Sequence, residues 1–157
     1  MSTRKLLLAL ITVLITSSFC FASPPAAPGA KDRCAVCGMF VAPYPNWVSI
    51  VQFKDGTKAY FDGPKDMFTY VFNLKKYNSA AKPEDIAEIY VTEYYSTQLQ
   101  KAAEVFFITE SDVMGPMGTE LIPIAGKEAA LTFLRDHKGK KIMQFDGKAF
   151  NELPVAQ

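Results

Sequence analysis

A local order of strand, tight turn, strand and helix occurs near the middle of this 157-residue chain and limits the folds open to it. Residues 47–53 alternate in character and are rich in β-branched and aromatic side chains, which predicts a β-strand. Asp55-Gly56 is a strong hairpin signal, so residues 57–61 are expected to return beside the first strand. The order is typical of a small antiparallel sheet with one face packed on a helix.

The helix of this first unit is predicted to begin at Asp62-Gly63-Pro64. Asp62 can cap the helix with its side chain, and Pro64 suits the first turn. Four apolar residues then recur at the spacing of one helical face: Met67, Tyr70, Val71 and Leu74. A polar loop with Pro83 follows, and residues 86–95 are predicted to form a further strand.

The second half of the chain repeats this order. Residues 103–109 and 120–124 are predicted strands, and the Gly/Pro-rich run 114–118 is the turn between them. Pro123 indicates an edge strand or a bulge, because proline cannot donate a ladder hydrogen bond. Gly126 opens a helix and Gly139 stops it, and the last predicted strand covers residues 141–145. The apolar helix face holds Ala130, Phe133, Leu134 and His137.

The sequence therefore predicts an α+β fold of two tandem ββαβ units packed as one compact module. The first unit is assigned to residues 32–97 and the second to residues 98–157. Each unit alone would bury little surface, whereas two packed together make an adequate core. The sheets are expected to be largely antiparallel, with helices on one face.

The first 22 residues are predicted to be a secretory signal peptide rather than part of the fold. Arg4 and Lys5 form the charged region, and an apolar run follows at residues 6–15. Cleavage after Ala22 is the preferred interpretation, which predicts a periplasmic protein. Lipidation at Cys20 would instead anchor the chain to a membrane, but a small residue is usual before such a cysteine. An uncleaved membrane anchor is the third alternative.

Residues 23–31 are predicted to be a flexible Pro/Ala-rich tether. The whole chain has 17 Lys+Arg against 16 Asp+Glu and a net charge of +1. This balance offers no basic field, so nucleic acid is not an expected partner. A single histidine makes a His-rich zinc site improbable.

The sharpest chemical feature is the motif at residues 34–39. Cys34, Cys37 and Met39 place three soft sulfur donors within six residues. Thiolates and thioethers favour Cu(I), whereas zinc would need two further ligands from His137 or carboxylates. Two other interpretations of the cysteine pair stay open: a structural disulfide and a thiol–disulfide redox centre. A redox centre is less favoured because no strand precedes the motif.

Met114 and Met117 flank Gly115-Pro116 in the predicted turn of the second unit. Their thioethers either pack on the core or bind a soft metal. His137 is interpreted as structural, because it lies near the end of a predicted helix. Five carboxylates form no convincing acid/base pair by spacing: Asp62, Asp66, Glu110, Asp112 and Glu120.

The motif at residues 32–39 resembles the CxxCGM motif of NosL-type accessory proteins of nitrous oxide reductase. Three further segments are similar to the same family: residues 53–56, residues 60–62 leading into a Met/Phe helix, and residues 113–123. The resemblance extends over roughly residues 31–151. It implies two ββαβ units similar to the core of organomercurial lyase.

The resemblance also implies an exported, non-enzymatic Cu(I) chaperone. Such a chaperone would help supply copper to the copper-sulfide centre of nitrous oxide reductase, together with an ABC-type membrane complex. Cys34, Cys37 and Met39 correspond to candidate copper ligands, and Met114 and Met117 belong to a shared motif. NosL proteins are typically lipoproteins, whereas the signal here lacks a good lipidation site. A copper protein other than nitrous oxide reductase is therefore an alternative recipient.

From the residues and the resemblance together, we expect a periplasmic Cu(I) metallochaperone with a copper-receiving apo-enzyme as partner. Cys34 and Cys37 would be the thiolate ligands, with a methionine as thioether. The chain would act as a monomer or as a copper-bridged dimer. The alternative is an enzyme, a periplasmic thiol–disulfide oxidoreductase that uses the same two cysteines.

Overall fold

The computed structural model describes residues 25–154. The predicted signal segment and its Cys20 lie outside these residues. The described part of the predicted tether contacts the domain: Pro25 is buried, and the Ala26 carbonyl accepts a hydrogen bond from the Tyr60 hydroxyl at 3.2 Å. Within residues 25–154, no helix combines the length and apolar character that crossing a bilayer requires.

Ten strands and three α-helices form within the described residues. In chain order they are β1 Ser49–Phe53, β2 Lys58–Phe61, α1 Pro64–Phe72, α2 Leu74–Tyr77, β3 Ile86–Thr92, β4 Leu99–Lys101, β5 Phe106–Thr109, β6 Met114–Gly115, β7 Gly118–Thr119, β8 Ile122–Ile124, α3 Lys127–Asp136, β9 Lys141–Phe145 and β10 Phe150–Leu153.

Two four-stranded sheets share one design. Their strand orders are β2-β1-β3-β4 and β10-β9-β5-β8, and every pairing is antiparallel. In each sheet, the first strand of a unit lies between its hairpin partner and the strand that follows the helix. The α+β class and the repeated ββαβ order are therefore confirmed. β8, which contains Pro123, is an edge strand, as its missing N–H predicts.

Several predicted elements differ from the observed ones. The strand predicted at residues 86–95 ends at Thr92, because the next residue, Glu93, accepts a hydrogen bond from the Ser96 N–H at 2.7 Å and turns the chain. The strand predicted from residue 103 begins at Phe106, after a short 3-10 turn. β4, β6, β7 and β10 were not predicted, and β6 with the start of β7 falls in the run 114–118 that was predicted to be a turn. β4 lies beyond the predicted boundary at residues 97 and 98 yet pairs with β3, and that boundary stays a prediction.

The helix predicted after Asp62 is interrupted. α1 begins at Pro64 with Gly63 as N-cap, and the Asp62 side chain makes no capping hydrogen bond. α1 ends at Phe72, and the side-chain amide of the C-cap residue Asn73 donates to the Thr69 carbonyl at 2.9 Å. Leu74 therefore belongs to the separate helix α2.

Aromatic packing joins the two units. Phe68 of α1 lies with its ring centroid 5.2 Å from Phe107, 5.0 Å from Phe145 and 4.5 Å from Phe150. All three partners belong to the second sheet, whereas α1 follows directly on the first. The helix that begins beside the cysteine motif is therefore fixed by the shared core.

Candidate metal centre

The cysteine motif forms a closed loop. The N–H of Cys34 donates to the Met39 carbonyl at 2.8 Å, and the N–H of Gly38 donates back to the Cys34 carbonyl at 3.0 Å. Gly38 has a φ of 80°, a left-handed conformation that side chains other than glycine disfavour. The Cys37 N–H lies 3.5 Å from the Cys34 sulfur. The loop therefore brings the two thiols to the same side.

The loop is attached to the end of β2. The Ala35 N–H donates to the Tyr60 carbonyl at 3.3 Å. Asp62 lies two residues after Tyr60, directly beyond the end of β2, and Asp66 lies in the first turn of α1. Asp62 comes just before the N-cap Gly63, whose backbone is extended, and both carboxylates of this junction face the cysteine loop.

Two thiols and two carboxylates meet there. The Cys34 sulfur lies 3.4 Å from Oδ2 of Asp66, and the Cys37 sulfur lies 3.4 Å from Oδ1 of Asp62. One ligand atom from each of the four residues lies within 4.8 Å of the others. Cys34 is only 3% exposed and Asp62 is also buried, whereas Cys37 and Asp66 are half-buried. The cluster is thus enclosed at one side and accessible from the other.

Both cysteines are free thiols. Burial raises the pKa of the Cys34 thiol far above its ordinary value, and the Asp62 carboxylate raises it further. Burial also raises the pKa of Cys37, with smaller contributions in the same direction from Asp66 and Asp62. The protonated thiols donate to the carboxylates, so the metal-free cluster holds its protons until a cation displaces them.

The hairpin with the two turn methionines lies close to this junction. β6 and β7 pair Met114 with Thr119. The ammonium of Lys65, one residue before Asp66, donates to the carbonyls of Met117 at 3.1 Å and Thr119 at 2.7 Å. Met114 is 59% exposed and Met117 is 46% exposed. The structure therefore brings the predicted methionine turn to the start of α1, with its thioether side chains largely outside the core.

Glu120 completes the junction. Its Oε1 accepts hydrogen bonds from the backbone N–H groups of Lys65 at 2.5 Å and Leu121 at 2.9 Å. The side chain is buried, and burial raises the pKa of Glu120 to about 7, against the lowering effect of these N–H groups. A buried carboxylate of the second unit thus binds the first turn of the first unit's helix.

The sequence singled out the two cysteines, and the structure places them together as expected. It adds Asp62 and Asp66, neither of which the sequence had singled out as a metal ligand: Asp62 was a predicted helix cap, and both were considered as acid/base residues. The four-residue spacing at the start of a predicted helix was an available signal, but nothing local showed that the cysteine loop would contact it. Met39 is half-buried at the end of the loop.

His137 lies elsewhere. Its Nδ1 is 3.1 Å from Oδ1 of Asp112, and its ring stacks on Phe133 with centroids 4.2 Å apart. These contacts fix the end of α3, which agrees with a structural role.

Comparison with known proteins identifies the family. The sequence model of the NosL family matches residues 25–148. The chain belongs to the NosL family. The fold is similar to the crystal structure of the copper chaperone NosL from Shewanella denitrificans, with a TM-score of 0.65 and 20% identity, over 78% of this chain and 93% of that one. No curated protein matches the chain.

The donor set of this NosL-family chain limits the cations it suits. Two thiols supply soft ligands that favour Cu(I), and the thioether of Met39 in the same loop is also a soft donor. Carboxylate oxygens are hard ligands that contribute little to Cu(I) but are acceptable to zinc, which binds Cys and Asp together in four-coordinate sites. The cysteines therefore fit copper, and the complete four-residue set also fits zinc.

Proposed function

We propose that this chain is a copper chaperone that carries Cu(I) on Cys34 and Cys37 and releases it to a copper-receiving partner. The observation that carries the proposal is the pair of free thiols held on one side of a closed loop, in a cluster open to solvent at one side. Membership of the NosL family and the likeness to a protein described as a copper chaperone support it. Copper is the cargo of this activity, and its oxidation state follows from the softness of the sulfur donors.

The two carboxylates have a different role from the thiols. Metal binding requires thiolates, so the thiol protons must leave when copper enters. Asp66 and Asp62 already accept hydrogen bonds from the sulfurs at 3.4 Å. They are the nearest acceptors for these protons, and Asp66 is exposed enough to pass a proton to water.

Transfer would take place by ligand exchange. Cys37 lies on the accessible side of the cluster and Cys34 on the buried side. An incoming ligand from a partner can therefore approach copper beside Cys37 while Cys34 still holds it. Met39, Met114 and Met117 are the candidate thioether ligands that would stabilise copper before the partner arrives.

The biological setting is part of the proposal. The partner would be apo nitrous oxide reductase or another cuproprotein, with an ABC-type membrane complex assisting. The protein would work in the periplasm, with lipidation at Cys20 as a means of membrane attachment. A monomer and a copper-bridged dimer are both compatible with two thiols per chain.

The redox alternative is less well supported. A thiol–disulfide oxidoreductase depends on a thiolate of lowered pKa. Here burial raises the pKa of both thiols, so neither is activated for attack on a disulfide. This favours a carrier without enzymatic activity.

A metal-selectivity experiment tests the proposal. The reduced chain is titrated anaerobically with Cu(I) against bathocuproine disulfonate, and separately with Zn(II) against a zinc indicator. We expect one Cu(I) per chain, or one per two chains for a bridged dimer. We also expect Asp62→Asn/Asp66→Asn to keep the Cu(I) affinity within about tenfold, because the thiolates carry the binding, and to lose zinc binding.

Asp136→Asn, an exposed carboxylate substitution on α3, serves as the matched control and should change neither affinity. Failure of the reduced chain to compete for Cu(I) would contradict the proposal. Equal loss of both metals in the double variant, with zinc the tighter ligand in the parent chain, would instead identify a zinc site.

A further inference from the structure

The methionine hairpin is connected to the metal-site helix by an unusual double contact. The Glu120 carboxylate accepts a hydrogen bond from the backbone N–H of Lys65, and the Lys65 ammonium donates hydrogen bonds to the carbonyls of Met117 and Thr119. One residue of α1 therefore uses both its main chain and its side chain to bind a single short hairpin. The adjacent residue in α1 is Asp66, which contacts the Cys34 sulfur.

The surroundings of Glu120 are shaped to its side chain. A Cβ at Gly63 would overlap Oε2 of Glu120, and a Cβ at Gly115 would lie 3.1 Å from the Cβ and Cγ of Glu120. Gly63 lies between the candidate ligand Asp62 and α1, and Gly115 lies in the hairpin. Neither glycine has a left-handed φ, so their lack of a side chain serves close approach to Glu120 rather than backbone geometry.

We propose that Glu120 is a positioning residue that fixes the β6–β7 hairpin on the first turn of α1, and thereby holds Met114 and Met117 where their thioethers complete the coordination of copper. This inference rests on the proposed copper-carrier function. Glu120 itself touches backbone N–H groups and glycines, not the sulfurs. It acts through the hairpin.

The small size of the hairpin explains why it needs contacts from outside to hold its position. β6 and β7 are two residues each and form a sheet of their own, and an isolated two-stranded hairpin is at best marginally stable in water. Its thioethers are exposed, so the core does not hold them. The contacts of Lys65 and Glu120 supply the missing constraint. Removing either frees the hairpin, and with it the two methionines, from the first turn of α1.

The test combines Cu(I) affinity with the motion of the hairpin. The variants are Met114→Ala/Met117→Ala, Glu120→Ala, Glu120→Gln and Lys65→Met, with Lys75→Met on the exposed surface of α2 as control. Cu(I) affinity is measured anaerobically against bathocuproine disulfonate in the full chain. Amide hydrogen exchange at Gly118 and Thr119 is measured in the metal-free protein.

We expect the methionine double variant to bind Cu(I) about tenfold to a hundredfold more weakly, the usual range for a disturbed metal environment. Glu120→Ala and Lys65→Met should lose affinity to a similar extent, and adding either to the methionine variant should cause no further loss, because both act through the same thioethers. Their hairpin amides should exchange faster. Glu120→Gln keeps an oxygen for the Lys65 N–H and should restore most of the affinity, and Lys75→Met should match the parent chain.

Three results would overturn the inference while leaving the copper-carrier function intact: parent-like Cu(I) affinity in Lys65→Met and Glu120→Ala, parent-like affinity in the methionine variant, or losses that multiply when the variants are combined. Lys65→Met decides the matter if Glu120→Ala fails to fold, since it leaves the buried carboxylate in place. If the parent chain itself does not bind Cu(I), the proposed function fails, and this inference fails with it.

Discussion

Replacing Cys34 or Cys37 with serine should lower the Cu(I) affinity by about a hundredfold or more. Structural zinc sites with four ligands bind with roughly 10–16 kcal/mol, or about 3 kcal/mol per ligand, and this amount corresponds to about a hundredfold. A serine hydroxyl is hard and stays protonated, so it does not replace a thiolate. The measurement is anaerobic competition with bathocuproine disulfonate.

Ala35→Ser is the matched control for these variants. It introduces a hydroxyl at an exposed position of the same loop and leaves both sulfurs in place, so its affinity should equal that of the parent chain. Cys37→Ser is the more decisive variant because Cys37 is half-buried, and the substitution disturbs packing less than at Cys34. Parent-like affinity in Cys37→Ser would contradict a two-thiolate copper site.

Phe68→Ala should lower the free energy of unfolding by about 3–5 kcal/mol, the usual cost of truncating a buried phenylalanine. Phe68 is 3% exposed and contacts Phe107, Phe145 and Phe150 of the second sheet. The cavity would therefore open where the two units meet. Urea unfolding of the metal-free chain measures the loss as a shift of the midpoint.

Phe72→Ala is the control on the same helix. Phe72 stacks on Phe68 at 5.7 Å but is 48% exposed, so its loss should cost about 1 kcal/mol or less. Both variants should unfold in a single transition if the units share one core. Equal losses in the two variants, or a second transition in the parent chain, would contradict the shared core.

Local signals in the sequence were sufficient for much of the fold. Asp55-Gly56 predicted the turn between β1 and β2, and Pro123 predicted an edge position for β8. The strand predicted at residues 141–145 has the observed bounds of β9. Each of these depends on the conformational preference of a few adjacent residues, which sequence alone contains.

Contacts between distant segments could not be predicted in this way. β10 begins at Phe150 in a short polar segment, and its pairing with β9 depends on the aromatic contacts of Phe150 with Phe68 and Phe107. Asp62 has the position of a helix cap in sequence. Its actual contact is the Cys37 sulfur, 25 residues earlier in the chain, which is decided by the attachment of the cysteine loop to β2.

Dependence on contacts between distant segments also explains which residues of the candidate site the sequence did not predict. Sequence spacing grouped Cys34, Cys37 and Met39 because they are adjacent. The hydrogen bond that attaches the hairpin to α1 joins Lys65 with Glu120, which lie 55 residues apart. No local sequence pattern indicates this contact. The sequence therefore named the sulfur donors, whereas the carboxylates beside them and the anchor of the methionine turn depend on the packing of the two units.

Copper K-edge X-ray absorption of the anaerobically loaded chain tests the central claim most directly. Binding by Cys34 and Cys37 predicts the edge of Cu(I) and a first shell of sulfur scatterers, which loses sulfur in Cys37→Ser and is unchanged in Asp62→Asn/Asp66→Asn. A first shell made up of nitrogen or oxygen alone, or a Cu(II) edge in the reduced protein, would contradict it.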